Sequence, residues 1–161
     1  MKLYLVQHGH AVAKDMDPAR PLSDQGRADA RRTASFLGRA GVRVSTILHS
    51  GKKRTEETAE LLAASVGTVE HPDEISGIAP LDPVPEFART VNGWTSDTMV
   101  VGHLPFMGRL VSHLVVGDEA VSTVAFRPGT VLCLEREESG GWSIAWMIRP
   151  ELVADHGPEI A

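Results

Sequence analysis

Chemistry in this chain concentrates where short apolar runs end. Residues 2–6 lead into Gln7-His8-Gly9-His10, and residues 98–101 lead into Gly102-His103. Between them, Ser50-Gly51-Lys52-Lys53 leads into Arg54. A neutral imidazole can attack phosphorus, and the phosphoimidazole that forms is reactive enough to be hydrolysed. Such a nucleophile needs one ring nitrogen free and the other held by an acceptor, often a backbone carbonyl. A nearby cation lowers its pKa and keeps it neutral. His8 has the placement for this role, with Gly9 allowing the backbone to turn sharply and approach a ligand. Arg54 can hold two phosphate oxygens in fork geometry, at a helix N-terminus that adds positive potential. His103 can donate to a phosphoryl oxygen as charge builds there. Arg20, just before the first helix, can reach the rim of the same crevice. Lys52 and Lys53 read as a solvated loop. His10, His49, His71, His113 and His156 lack comparable placement and read as structural or surface residues.

The elements that must position these groups follow from hydrophobic spacing. Residues 2–6 suit a buried strand. Ser23 is a plausible N-cap and Gly41 a C-terminal stop for a first helix. Within it Ala30, Ala34, Leu37 and Ala40 recur at helical spacing, while Arg27, Arg31, Arg32 and Arg39 are expected to face water. Residues 44–48 read as a second strand and 55–65 as a second helix, with Ala59, Leu62 and Ala63 on one face. The Pro-, Gly- and Asp-rich stretch 67–85 reads as a long loop, and 86–91 as a short helix. Residues 98–101 read as a strand and 105–115 as a helix, with Pro105 near its first turn. Three further β-like runs are 122–126, 130–135 and 142–148, the last two suiting a hairpin around Ser139-Gly140-Gly141. Alternating strands and helices imply a mostly parallel sheet covered on both faces, a three-layer α/β/α sandwich with an antiparallel addition at one side. Ligands in such sheets sit beyond the carboxyl ends of the strands. That rule brings His8, the loop to Arg54, and His103 into one crevice.

Bulk properties narrow the function classes. A chain of 161 residues is expected to form one domain, 1–161. The formal charge of −5 argues against a nucleic-acid partner, which usually demands a basic patch. The single cysteine, Cys133, sits in an apolar run and reads as core, so a reducing compartment is the simple inference. No apolar stretch approaches the roughly 20 residues that cross a bilayer. The start MKLYLVQHGH reaches polar residues too soon for a signal peptide, and a cytoplasmic location is expected.

The motifs together resemble the histidine phosphatase superfamily, whose fold is phosphoglycerate mutase-like. VQHGHA is similar to its Arg-His-Gly signature with the first residue changed, and RPLSDQG to the segment that follows it in small members. SGKKRTEETA matches its Ser-x-x-x-Arg-x-x-x-Thr pattern at Ser50, Arg54 and Thr58, and VVGHLP carries its second histidine. Short length, the APLDP loop and the absence of an inserted lid resemble the SixA-type phosphohistidine phosphatase branch. The resemblance implies His8 as the phosphorylated nucleophile, Arg54 clamping phosphate and His103 stabilising the transferring group. Gln7, Gly9 and Arg20 complete the implied phosphate site. It also implies a phosphohistidine-bearing partner protein as substrate, and neither a metal nor a cofactor. Larger relatives use a carboxylic acid to protonate a leaving alkoxide, whereas imidazole leaves readily without one. Glu74 and Asp82 lie in the loop region where an acid would sit.

The departure is Gln7, where the family has arginine. Replacing a charge-assisted contact by a neutral one loses roughly 1 to 2 kcal/mol, about tenfold in rate. Weak catalysis, compensation by Lys14 or Arg20, and loss of turnover are the open outcomes. A binding module that kept the pocket is therefore one alternative, and a phosphatase for small phosphorylated molecules another. The His8-x-His10 pair also fits metal-dependent amidohydrolases, but those are β/α barrels of about 250 residues.

Overall fold

The computed structural model describes residues 1–67 and 71–153. Lys2–Gln7 forms strand β1, buried along nearly its whole length. Leu3 and Leu5 enter one core, while Tyr4 and Val6 enter another on the opposite face, as the two-residue strand period requires. Helix α1 is Asp24–Arg39, capped by Ser23, whose hydroxyl accepts from the Gly26 amide at 3.1 Å. Strand β2 (Thr46–His49) and helix α2 (Lys53–Val66) follow. Next come a two-residue strand β3 (Asp73–Glu74), helix α3 (Val84–Asn92) and strand β4 (Thr98–Gly102). Helix α4 (Phe106–Val116) precedes the hairpin of β5 (Val131–Arg136) and β6 (Trp142–Ile148).

The sheet order is β3-β2-β4-β1-β5-β6. β1, β2, β3 and β4 pair in parallel, and β5 runs antiparallel to both β1 and β6. One core joins Leu3, Leu5, Val100 and Leu132 to Phe87, Phe106 and Leu110 from α3 and α4. The other joins Tyr4, Val6, Val101 and Cys133 to Ala34, Leu37 and Leu62 from α1 and α2. The expected three-layer α/β/α sandwich is therefore the observed one. Each fully buried Leu or Phe contributes about 1.5–3 kcal/mol.

Several local expectations need correcting. The stretch 67–85 is interrupted by β3, whose two residues are too few to show any periodicity. Residues 122–126 form no strand. Ser112 and Thr123 share a hydrogen bond at 2.9 Å, and Val124 and Phe126 pack on the α3–α4 core, so helix contacts replace a ladder. On α1, Ala40 is exposed. Arg27 and Arg32 do not simply face water: Arg27 pairs with Glu57 at 3.0 Å, tying α1 to α2, and Arg32 pairs with Asp29 at 2.7 Å.

The start of α1 lies hard against the tip of β1. A Cβ on Gly26 would overlap the His10 carbonyl, an atom of the backbone that cannot swing aside. Gly26→Ala is expected to lower stability by about 2–3 kcal/mol through overpacking, read as a shifted denaturant midpoint with unchanged slope.

Candidate active site

The carboxyl ends of β1, β2 and β4 converge as the doubly wound arrangement requires. β1 and β4 pair with Gln7 opposite Gly102, and the pairing continues as His8 N–H donating to the Gly102 carbonyl at 3.1 Å. The next residues, His8 and His103, consequently lie side by side. Their rings meet edge to face, centroids 5.2 Å apart at 61°. Arg54, from the first turn of α2, reaches both: its Nε donates to His8 Nε2 at 3.3 Å, and its Nη2 lies 3.4 Å from His103 Nδ1.

Each ring is held at its other nitrogen. His8 Nδ1 lies 2.8 Å from the Gly9 carbonyl, which can only accept. That contact puts the proton on Nδ1 and leaves the Nε2 lone pair facing Arg54. His103 Nε2 lies 2.6 Å from Ser50 Oγ. Gly9 in turn donates its amide to Thr58 Oγ1 at 3.0 Å, and Thr58 donates to the Arg54 carbonyl at 2.7 Å. The Gly9 amide is thus committed within the protein, and its φ is not in the left-handed region. A Cβ there would meet Leu22 at 3.1 Å and the Gly26 carbonyl at 3.3 Å, so its small size serves packing against α1.

Electrostatics follow from this crowding. Burial, and then the charges of Arg54 and Arg20, lower the pKa of His8 to about 4 against the upward pull of the Gly9 carbonyl. Burial first, then His8, Arg54, Lys52 and Arg20, lower that of His103 to about 4. Burial and the Arg20 charge lower that of Arg54 too. Both imidazoles are neutral at physiological pH.

Arg20 is half-buried and felt electrostatically at both histidines and at Arg54, which brings it to the crevice. It has φ +50°, a conformation rare for a residue with a Cβ, and its Nε donates to the Val12 carbonyl at 3.3 Å. Gln7 is 9% exposed, and its Oε1 is buried without a hydrogen-bond partner. Lys14, Lys52 and Lys53 are exposed, and Lys53 pairs with Glu56 at 3.1 Å. Asp82 accepts from the Ala79 amide at 2.8 Å and so closes its own turn. The exposed Glu74 rests its carboxylate against Gly51. His10 lies 2.7 Å from Ser23 Oγ and His49 accepts from the Gly51 amide at 3.1 Å, both away from the paired rings. His8 and His10 therefore do not share a metal-like focus, and among the described residues no group of three or more His, Cys, Asp or Glu is placed to hold a metal. His156 lies outside the described residues. Sequence reasoning assigned no task to Ser50 or Thr55; only the Ser50 position within its motif hinted at one.

This geometry sits on a chain whose residues 3–76 match the model of the histidine phosphatase superfamily, branch 1. The chain is 24% identical over 155 residues to the phosphohistidine phosphatase SixA of Escherichia coli K12, covering 93% of this chain and 94% of that protein. It is 32% identical over 128 residues to an uncharacterized protein of Picosynechococcus sp., covering 73% and 75%. The solved structure of the protein histidine phosphatase SixA complexed with tungstate superposes with a TM-score of 0.85 at 23% identity, covering 96% of this chain and all of that one (100%). The chain belongs to the histidine phosphatase superfamily, and its near full-length likeness to SixA supports the SixA-type branch.

The neutral rings have a consequence for stability. Their native pKa values lie below the ordinary 6.5, so the unfolded chain takes up protons first as pH falls. Their contribution is full above about 6.5 and is lost as pH drops toward 4. Denaturant midpoints measured between those limits should fall steadily on acidification, and His103→Gln should flatten part of that slope.

Proposed function

We propose that this protein is a phosphohistidine phosphatase acting on a partner protein through a phosphoenzyme on His8. The observation that carries the reading is the fixed, neutral His8 ring, with Nδ1 tied to the Gly9 carbonyl and Nε2 beside Arg54. Arg54 would exchange its ring contacts for phosphoryl oxygens, with Arg20 adding charge at the rim. The His8 Nε2 lone pair then forms a new N–P bond as the P–N bond of the substrate breaks. The leaving electron pair stays on the substrate imidazole, which departs neutral when its second nitrogen already carries a proton. Water next attacks phosphorus, the His8–P bond returns its pair to Nε2, and phosphate is released.

No acid is required for an imidazole leaving group, which agrees with Asp82 being engaged in its own turn. A protein substrate follows from the likeness to the protein histidine phosphatase SixA. In this reading the chemistry uses side chains and water alone, and the cytoplasm is the setting. A second reading, a phosphate- or phosphoprotein-binding module with weak turnover, rests on Gln7. An amide there supplies no charge, and its buried Oε1 has no hydrogen-bond partner among the described residues. Small phosphorylated molecules as substrates are separated from proteins by substrate profiling.

The test is to incubate the protein with a phosphohistidine-bearing protein, quench, and map acid-labile phosphate. Phosphate is expected on His8, and His8→Ala should abolish turnover. Label trapped elsewhere, or turnover surviving in His8→Ala, would overturn the reading. Gln7→Arg should raise turnover about tenfold; an unchanged rate would remove the charge argument at position 7, and tight phosphate binding without hydrolysis would favour the binding module.

A further inference from the structure

Hydroxyl hydrogens near His103 are fixed by elimination. The Lys52 carbonyl can only accept, and Thr55 Oγ1 lies 2.7 Å from it, so the Thr55 hydrogen points there. Thr55 has no second hydrogen, so across its 3.0 Å contact with Ser50 the Ser50 hydroxyl donates. Ser50 then has none left, and across the 2.6 Å contact its oxygen must accept from His103 Nε2–H. Arg54 Nη2, a donor only, faces Nδ1 at 3.4 Å, which again requires Nδ1 to be bare. Two independent contacts therefore agree on one tautomer.

We infer that Ser50, backed by Thr55, is a positioning residue that holds the His103 proton on Nε2 and turns a bare Nδ1 toward the phosphoryl site. A lone pair set against a phosphoryl oxygen is repulsive. The complex must therefore hold one proton between Nδ1 and that oxygen, arriving either on the ring or on a phosphoryl group already protonated. Binding of a phosphate dianion is accordingly coupled to uptake of one proton. This refines the simple donor role for His103 and, for its catalytic meaning, rests on the phosphatase reading above. The charged and titratable groups facing His103 are His8 from the tip of β1, Arg54 and Lys52 from the start of α2, and Arg20 from the loop before α1. Burial and these cations keep the free ring neutral, so the proton is not already in place when a dianion arrives.

The experiment uses the full chain and inorganic phosphate. Nitrogen NMR at neutral pH without added phosphate should show His103 protonated at Nε2 and bare at Nδ1. Phosphate Kd should rise about tenfold per pH unit across the range where the dianion predominates, the slope for one proton taken up. Ser50→Ala should populate both tautomers and cut that slope to less than about threefold per unit, with Ser50→Thr restoring it. Thr55→Val, which frees the Ser50 hydrogen to donate to Nε2, should shift the proton toward Nδ1 even if Ser50→Ala folds poorly. Nδ1–H in the unsubstituted protein, or a flat pH profile for phosphate, would overturn the inference. Absence of turnover with the expected tautomer and slope would instead count against the phosphatase reading alone.

Discussion

The parallel register between β1 and β4 is the constraint on which the site depends. Gln7 lies opposite Gly102, and the ladder runs one bond further, from the His8 amide to the Gly102 carbonyl. Because strand side chains alternate, a slip of one residue would exchange the two apolar sets of β1 between the cores and misfit both. Leu3 and Leu5 on one face and Tyr4 and Val6 on the other leave no such freedom. Core packing thus fixes the register, and the register fixes two imidazoles with centroids 5.2 Å apart.

A buried His103 and a half-buried His8 at that spacing penalise each other's protonation, and a guanidinium reaching both makes the penalty larger. The outcome is an uncommon pairing of one strong donor with two neutral acceptors. In the function proposed above, such a crevice would attract an anion through Arg54 and Arg20 while keeping a lone pair ready on His8. A protein with an overall charge of −5 can do this because the field at the site is set by the nearest groups. Gln7, at the end of β1, carries no charge. Its buried Oε1 has no hydrogen-bond partner among the described residues.

Much of this was legible from residue types. Strand ends carrying His8 and His103, with a glycine at hand and an arginine opening a helix, mark where ligands bind in such sheets. The Ser23 cap and the period of Ala30, Ala34 and Leu37 located α1 because cap and core act locally. Nonlocal contacts were not legible. Residues 122–126 read as a β-like run, yet α4 holds them through Ser112. Arg27 and Arg32 look solvated until α2 and Asp29 supply their carboxylates. Gly9 suggested a sharp turn toward ligand, whereas the fold uses its lack of a side chain against Leu22 and Gly26. Hydroxyl direction around Ser50 needs His103, just past β4, together with Thr55 and the Lys52 carbonyl at the start of α2, and the distant His103 is encoded by no linear spacing.

The first turns of α2 unite these threads. Arg54 lies between the rings, Thr55 ends the hydroxyl chain behind His103, and Thr58 anchors the Gly9 amide whose residue orients His8. One rigid helix end therefore sets the cation, one tautomer and the other ring's backbone support together. Glu57, on the same turn, accepts from the Leu22 amide at 2.7 Å and from Arg27, fixing the loop that carries Arg20. A displacement of this helix end would move every polar group of the crevice in concert, so its geometry behaves as a unit and not as separable contacts. The apolar face of α2, through Ala59, Leu62 and Val66, is what prevents such a displacement. Hydrophobic burial with no chemistry of its own thereby controls the positions of protons at the other end of the helix.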